Sequence, residues 1–175
     1  MPKTQTDNSI RLEKVTYANA WDIMKLRVNS DQKGFVAKNS SSLVEAYLTL
    51  DAGRKVLPFG IYCGKKPVGF VMIGYDWHID EAEGDDCETP EVARGSYLIW
   101  RFMIDKRYQN RGYGKAAMQL ALDFIRTFPC GKAERCWLSY EPENERAKKL
   151  YASFGFVEAK EFPRGWDEIP AVLKL

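Results

Sequence analysis

The sequence is poor in the residues that most often carry metal or hydrolytic chemistry. It holds a single histidine, His78, and four cysteines, at positions 63, 87, 130 and 136 of 175. No two cysteines form a CxxC pair, and a structural zinc site needs four closely spaced Cys or His ligands, so no metal is expected. A Ser-His-Asp hydrolase would have to take His78 as its base. No apolar run approaches the roughly 20 residues that cross a bilayer. The opening residues, Met1 to Asn8, are polar and lack the apolar core of a signal peptide. The expectation is a cytoplasmic chain without a membrane partner, its thiols kept reduced. No basic stretch interleaves with aromatics, so no nucleic-acid surface is expected either. Internal repeats, low-complexity tracts and Pro/Gly/Ser linkers are missing, which leaves residues 1–175 as one domain.

What is present fits an ordinary globular domain. Hydrophobic residues make up 45% and charged residues 29% of the chain, enough to bury a core at this length. The net charge is +2, but it is unevenly spread. Asp80, Glu81, Glu83, Asp85, Asp86, Glu88 and Glu91 follow one another with no Lys or Arg among them. Setting those seven aside leaves the remainder at +9.

The apolar pattern predicts alternating elements. Ile10–Val15 alternates like a strand. A helix is expected from about Ala18 to Val28, and a second one capped by Ser41 or Ser42, with Leu43, Ala46, Tyr47 and Leu50 on its apolar face. Pro58–Cys63 and Val68–Tyr75, joined by Gly64-Lys-Lys-Pro67, form a hairpin. The acidic stretch is a loop. Tyr97–Ile104, broken only by Arg101, reads as a buried central strand. Gly112–Thr127 is an amphipathic helix with Ala116, Ala117, Leu120, Ala121, Phe124 and Ile125 inward. Cys136–Tyr140 is a strand, Asn144–Ser153 a helix, Phe154–Glu158 a strand, and Ile169–Leu175 a last strand closing the sheet. The order β-α-α-β-β-β-α-β-α-β-β implies an α/β domain: a mixed sheet of about seven strands flanked by about four helices.

Chemistry is concentrated between the fourth strand and the third helix. Gln109-Asn-Arg-Gly-Tyr-Gly-Lys115 is a glycine-bearing turn that leaves backbone N–H groups facing one way at a helix N-terminus, an anion site. Gly112 and Gly114 present no side chain to an approaching phosphate, and Arg111 and Lys115 add cations. The turn is neither a Walker loop nor a Rossmann fingerprint, which need other spacings. On the glycines alone, a plain tight turn capping a helix is equally open.

The longer string decides. Gln109-Asn-Arg-Gly-Tyr-Gly114 resembles the Q/R-x-x-G-x-G/A signature of the GNAT acetyltransferase superfamily, placed directly after that superfamily's fourth strand. Asn144-Glu-Arg-Ala-Lys-Lys-Leu-Tyr151-Ala-Ser-Phe-Gly-Phe156 resembles its second motif. Within the superfamily, Phe35–Ala37, Ser42–Tyr47, Arg101–Asp105 and Tyr140–Asn144 resemble the bacterial spermine/spermidine (diamine) acetyltransferase branch. The resemblance implies a mostly antiparallel sheet, acetyl-CoA as acetyl donor and a primary amine as acceptor. Phe102, Met103 and Ile104 would then line the pantetheine arm. Gln109, Asn110, Arg111, Gly112, Tyr113 and Gly114 would hold the pyrophosphate, with Lys115 just inside the helix. Asn144 would touch the cofactor, and Tyr151 would lie near its sulfur as the acid that protonates the departing thiolate.

Such a transfer needs no covalent enzyme intermediate, but an ammonium of pKa about 10.4 must lose a proton first. Some relatives use a strand glutamate for this. Counting back from Gly112, that position falls on Trp100 beside Arg101, and no carboxylate stands there. A water relay through Tyr97, Glu141 or the acidic loop is the substitute expected, and Arg101 is expected to pair with an acid across the sheet. Phe35, Tyr47, Trp77 and Trp100 are cation–π candidates for the amine, and Glu81 and Glu83 could draw it in by charge. For each of these, core packing or a solvated loop is the plainer reading. Other acceptors (a protein N-terminus, an amino acid, an aminoglycoside) and a non-catalytic acyl-CoA-binding module remain the alternatives. Relatives are commonly dimers, so a homodimer using Ile169–Leu175 and a monomer are both open.

Overall fold

The computed structural model describes residues 9–78, 89–159 and 167–175. Seven strands form one sheet: β1 (Ile10–Lys14), β2 (Lys55–Cys63), β3 (Lys66–Tyr75), β4 (Tyr97–Ile104), β5 (Arg135–Tyr140), β6 (Val157–Glu158) and β7 (Ile169–Lys174). Among the described residues four α-helices cover it: α1 (Ala20–Met24), α2 (Asn39–Asp51), α3 (Tyr113–Ile125) and α4 (Glu145–Ala152). The order across the sheet is β1-β2-β3-β4-β5-β7-β6. Every neighbouring pair is antiparallel except β4 and β5. The expected element order is what the chain adopts, with short 3₁₀ turns added at Ser30–Gln32 and Glu91–Ala93.

Alternation along the strands sorts the core into two layers. Ile99, Leu138 and Tyr140 face α3 and α4, where Ala117, Met118, Ala121, Leu122 and Ile125 meet them. Phe70, Met72 and Met103 face the other way, onto Ile23, Leu26 and Ala46 of the α1–α2 side. The buried stripe of α3 includes Met118 and Leu122, while Ala116 is exposed and Leu120 and Phe124 are half-buried. The inward face is thus rotated from the one expected.

Tertiary hydrogen bonds explain where the helices depart from their sequence pattern. The first was expected to reach Val28 and stops at Met24. Arg27 has left the helix because its N–H donates to Asp105 Oδ2 at 2.9 Å and its carbonyl accepts from Lys106 N–H at 2.8 Å. The second begins at Asn39 rather than after a serine cap. Asn39 is buried and donates to Ile23 O at 2.9 Å, and the Ser42 hydroxyl donates back to Lys38 O at 3.3 Å. Tyr47 and Leu50, read as core, are exposed. At the far end, β7 does not close the sheet. It lies between β5 and β6 and buries Ala171 and Leu173 in this chain's own core. Among the described residues no helix is long and apolar enough to cross a membrane.

Two irregularities shape the centre. β4 and β5 pair only at Tyr97–Cys136 and Leu98–Trp137, then diverge, which opens the sheet between them. Along the other edge of β4, Met72 pairs with Arg101 and Ile73 with Ile99, so Trp100 is an extra residue, a β-bulge. The bulge turns Trp100 and Arg101 to the same side. The Arg101 guanidinium lies 5.5 Å from the Trp100 ring and pairs with Glu45 of α2 at 3.1 Å. Its acid therefore comes from a helix above the sheet rather than from across it. Close approach of β3 to the downstream half of β4 requires Gly69, where a Cβ would stand 2.4 Å from Met103 O.

Candidate active site

A cavity of about 780 Å³ passes through the opening between β4 and β5, within the size range of small-molecule sites. At one end it reaches the N-terminus of α3. Gly112 caps that helix at φ 80°, a left-handed conformation that suits glycine, and Asn110 before it has φ 62°. The first intrahelical bond runs from Ala116 N–H to Gly112 O at 3.1 Å, and no side chain caps the helix. The amides of Tyr113, Gly114 and Lys115 thus point out of the helix end. With the helix dipole and Lys115 at the cavity wall, this end suits an anion. A bulky doubly charged phosphate fits because Gly112 and Gly114 leave it room.

The turn is held rigidly. Asp105 is 2% exposed and accepts from the N–H of Arg27, from the N–H of Arg107 at 3.0 Å and from Arg107 Nε at 2.8 Å. Burial works against its charge, but those donors outweigh burial and hold its pKa below 3.8. Gln109 donates to Ile104 O at 2.9 Å and Gln32 Oε1 at 2.8 Å, and accepts from Asn29 at 3.0 Å and Arg146 at 2.9 Å. One glutamine thereby ties β4, the α1–α2 connection and α4 together.

The other expected residues divide. Phe102, Met103, Ile104, Gln109, Asn110, Gly112, Gly114, Lys115, Asn144 and Tyr151 all line the cavity, as do Phe35 and Trp77. Arg111 and Tyr113 do not: Arg111 stands 5.8 Å from the Tyr108 ring, and the Tyr113 hydroxyl takes the Cys63 thiol at 3.5 Å. Asn144 caps α4, its side-chain oxygen accepting Ala147 N–H at 3.1 Å. Tyr47 sits on the outer surface of α2, 67% exposed. Tyr97 faces the α3 layer, where its hydroxyl accepts from Cys130 N–H at 2.9 Å and donates to Gly131 O at 2.9 Å. Neither belongs to the cavity wall, and Tyr97 is no proton relay there. Glu81 and Glu83 lie outside the described residues. Glu141 stands beside the site, its pKa raised by burial and by the charges of Glu168, Glu143 and Asp167.

Tyr151 is 8% exposed and packs between the rings of Tyr140 at 5.7 Å and Phe156 at 6.0 Å. Its hydroxyl makes no hydrogen bond to a described residue. Burial first, then the charge of Glu168 and the neighbouring Tyr140, pushes its pKa well above the ordinary phenol value. It therefore stays protonated at any working pH, as a proton donor must. On the opposite face, Trp77 meets Trp100 at 6.3 Å and Trp137 at 6.0 Å, forming an aromatic wall. Two residues went unremarked in the sequence: Ser139 on β5, and Glu168 just before β7, which accepts a hydrogen bond from the Ser139 hydroxyl. Both line the cavity, together with Asp167 and Arg146.

A sheet split at its parallel pair, an anion seat at one mouth and a buried neutral phenol inside suit a domain that transfers an acyl group. Residues 21–156 match the acetyltransferase (GNAT) family, and the chain belongs to it, as an acetyl-CoA-dependent N-acetyltransferase. A spermine/spermidine N(1)-acetyltransferase of Bacillus subtilis is 29% identical over 148 residues, 85% of this chain and 88% of that protein. Two solved structures share the fold. The spermidine N-acetyltransferase of Vibrio cholerae, in complex with CoA and spermine, superposes with TM-score 0.63 at 19% identity, over 95% of this chain and 94% of that one. An aminoglycoside acetyltransferase in complex with CoA superposes with TM-score 0.69 at 16% identity, over 95% of each chain.

Proposed function

We propose that the chain moves the acetyl group of acetyl-CoA directly to a primary amine of a polyamine such as spermine or spermidine. The observation that carries the substrate class is the acceptor end of the cavity. Asp167 and Glu168 line the same cavity as Trp77, Trp100 and Trp137, with Glu141 adding to the negative field. Carboxylates attract a multiply charged alkylamine, and the indole faces accept its ammonium groups. The names of the Bacillus and Vibrio relatives support the same reading.

In this reading the amides following Gly112 and the Lys115 ammonium seat the pyrophosphate, and Phe102, Met103 and Ile104 flank the pantetheine arm. Asn144, its oxygen spent on the α4 cap, offers its amide N–H to the donor. The β4 backbone N–H groups that face the opening, those of Phe102 and Ile104, steady the charge developing on the carbonyl oxygen, because Met103 is paired with Phe70 and turns its own N–H to β3. Tyr151 gives its phenolic proton to the departing sulfur.

The test is release of free CoA thiol from acetyl-CoA against spermine, spermidine, short diamines, aminoglycosides and peptides. Turnover with polyamines at a kcat/KM at least tenfold above every other amine is the expected result. Preference for an aminoglycoside or peptide would replace the substrate. No turnover with any amine, despite acetyl-CoA binding, would leave an acyl-CoA-binding module.

A further inference from the structure

The β4 position at which some relatives carry a basic glutamate is Trp100 here, and Tyr97 is spent on the loop at Cys130 and Gly131. The cavity nevertheless holds a carboxylate placed for the same work. Ser139 lies on β5 opposite Pro170 of β7, on the same face as Trp137 and one step from Tyr140. Glu168 precedes β7 by one residue, so antiparallel pairing of β5 with β7 returns it to the C-terminal end of β5, where β4 has already diverged. The Ser139 hydroxyl donates to Glu168 Oε2. Oε1 takes no hydrogen bond among the described residues.

We infer that Glu168, oriented by Ser139, is the proton acceptor for the amine in this acetyl transfer. The inference rests on the proposed function only in taking an amine as acceptor, whichever amine it is.

A second observation points to the same place. Tyr151 is more than nine-tenths buried and lines the same cavity, without a hydrogen-bond partner among the described residues. It feels the charge of Glu168 strongly enough for that carboxylate to rank directly after burial among the influences on its phenol. An acid and a carboxylate thus flank one pocket from two sides. The groups facing Glu168 are Ser139 from β5, Tyr151 from α4, and Glu141 and Asp167 beside it, with Arg146 on the same cavity wall.

The protons balance through these two groups. A substrate ammonium enters with three N–H protons and leaves as an amide with one. Glu168 takes one proton from nitrogen and hands it to water through the open mouth. The nitrogen lone pair forms the bond to the carbonyl carbon, the carbon–sulfur bond breaks, and sulfur receives the phenolic proton of Tyr151. The second proton lost from nitrogen, again through Glu168, restores the phenol. Net, one proton goes to sulfur and one to solvent.

The experiment compares Glu168→Gln and Glu168→Asp with the unaltered enzyme, using the best amine of the panel. Glutamine keeps the size and an oxygen for Ser139 but cannot take a proton. The expected result is a kcat lower by about 10²–10⁴-fold near neutral pH, with acetyl-CoA affinity and thermal midpoint unchanged. The Glu168→Gln rate should climb steadily with pH as free amine becomes available, and Glu168→Asp should recover part of kcat. A Glu168→Gln kcat within threefold of the unaltered enzyme overturns the inference. So does a raised KM at unchanged kcat, which would make Glu168 a counter-charge only. Because the unaltered enzyme is first shown to acetylate the chosen amine, either failure is distinct from failure of the polyamine assignment.

Discussion

Replacing Tyr151 by phenylalanine separates catalysis from folding. The hydroxyl makes no hydrogen bond to a described residue, so removing it breaks no bond among those residues. The ring contacts with Tyr140 and Phe156 survive in phenylalanine. A polar group in an apolar setting costs something to bury, so the variant should gain between zero and about 1 kcal/mol. At roughly 2–4 °C per kcal/mol for a domain of this size, its melting midpoint should stay put or rise by up to about 4 °C. The rate should move the other way. Losing a positioned general acid costs about 10²–10⁴-fold, so kcat for thiol release should fall by that factor with acetyl-CoA affinity unchanged by calorimetry. The raised phenol pKa adds a signature. Tyr151 contributes no decline to the native rate between roughly pH 7 and 10, the range below the ordinary phenol pKa. A kcat within threefold of native, or a midpoint lowered by more than about 4 °C, would refute the assignment of a free, cavity-facing donor.

Two further variants probe the turn. Gly112→Asp places a charge at the uncapped end of α3. A like charge about 4 Å from a phosphate costs about 4 kcal/mol in a partly solvated setting, so acetyl-CoA affinity should fall by about 10²–10³-fold. Gly112→Ala adds left-handed strain of about 1–2 kcal/mol and a methyl in the space open to the phosphate, so it should lose stability and weaken acetyl-CoA binding by less than Gly112→Asp does. Asp105→Asn sets an amide against the Arg27 N–H, and calorimetry should show a loss of about 2–3 kcal/mol, the worth of a charge-assisted bond. The depressed pKa of Asp105 fixes the sign of the pH effect. Its stabilisation is complete above the unfolded value of 3.8 and disappears as pH falls through the lower folded value. The gap between native and Asp105→Asn proteins should therefore close on acidification.

Much of this site could be read from the chain. The turn 109–115 and the Asn144–Tyr151 helix are contiguous strings whose geometry is local; the glycines alone left a plain helix cap equally open, and it was the resemblance of both strings to known motifs that implied an anion seat and a phenol. The remainder depends on which strands lie side by side. Trp100 is the case where pattern carries no information: β4 is apolar throughout save Arg101, so there is no alternation to reveal an inserted residue. Tyr97 looked available because its hydroxyl partners, Cys130 and Gly131, lie more than thirty residues away. Glu168 was overlooked for a related reason. Its place is set by β7 running between β5 and β6, an order that no local window contains. Tyr47 misled because helical spacing identifies a face without saying whether anything covers it.

The bulge at Trp100 divides β4 into two segments of opposite parity. Before it, even-numbered Leu98 and Trp100 look toward the amine side; after it, Arg101 and Met103 do, while Phe102 and Ile104 turn to the other layer. In the proposed function, donor and acceptor would meet separate lengths of this strand. Side chains at 98, 100 and 101 can be exchanged to suit a new acceptor without rotating those at 102 and 104 away from the donor. Deleting Trp100 itself would set Ile99 and Arg101 side by side opposite Ile73 and Met72 and leave both halves on their present faces, whereas deleting a regularly paired residue would throw the length beyond it out of phase. Side-chain exchange, or loss of the one inserted residue, thus leaves the parity of β4 intact, whereas loss of a paired residue does not.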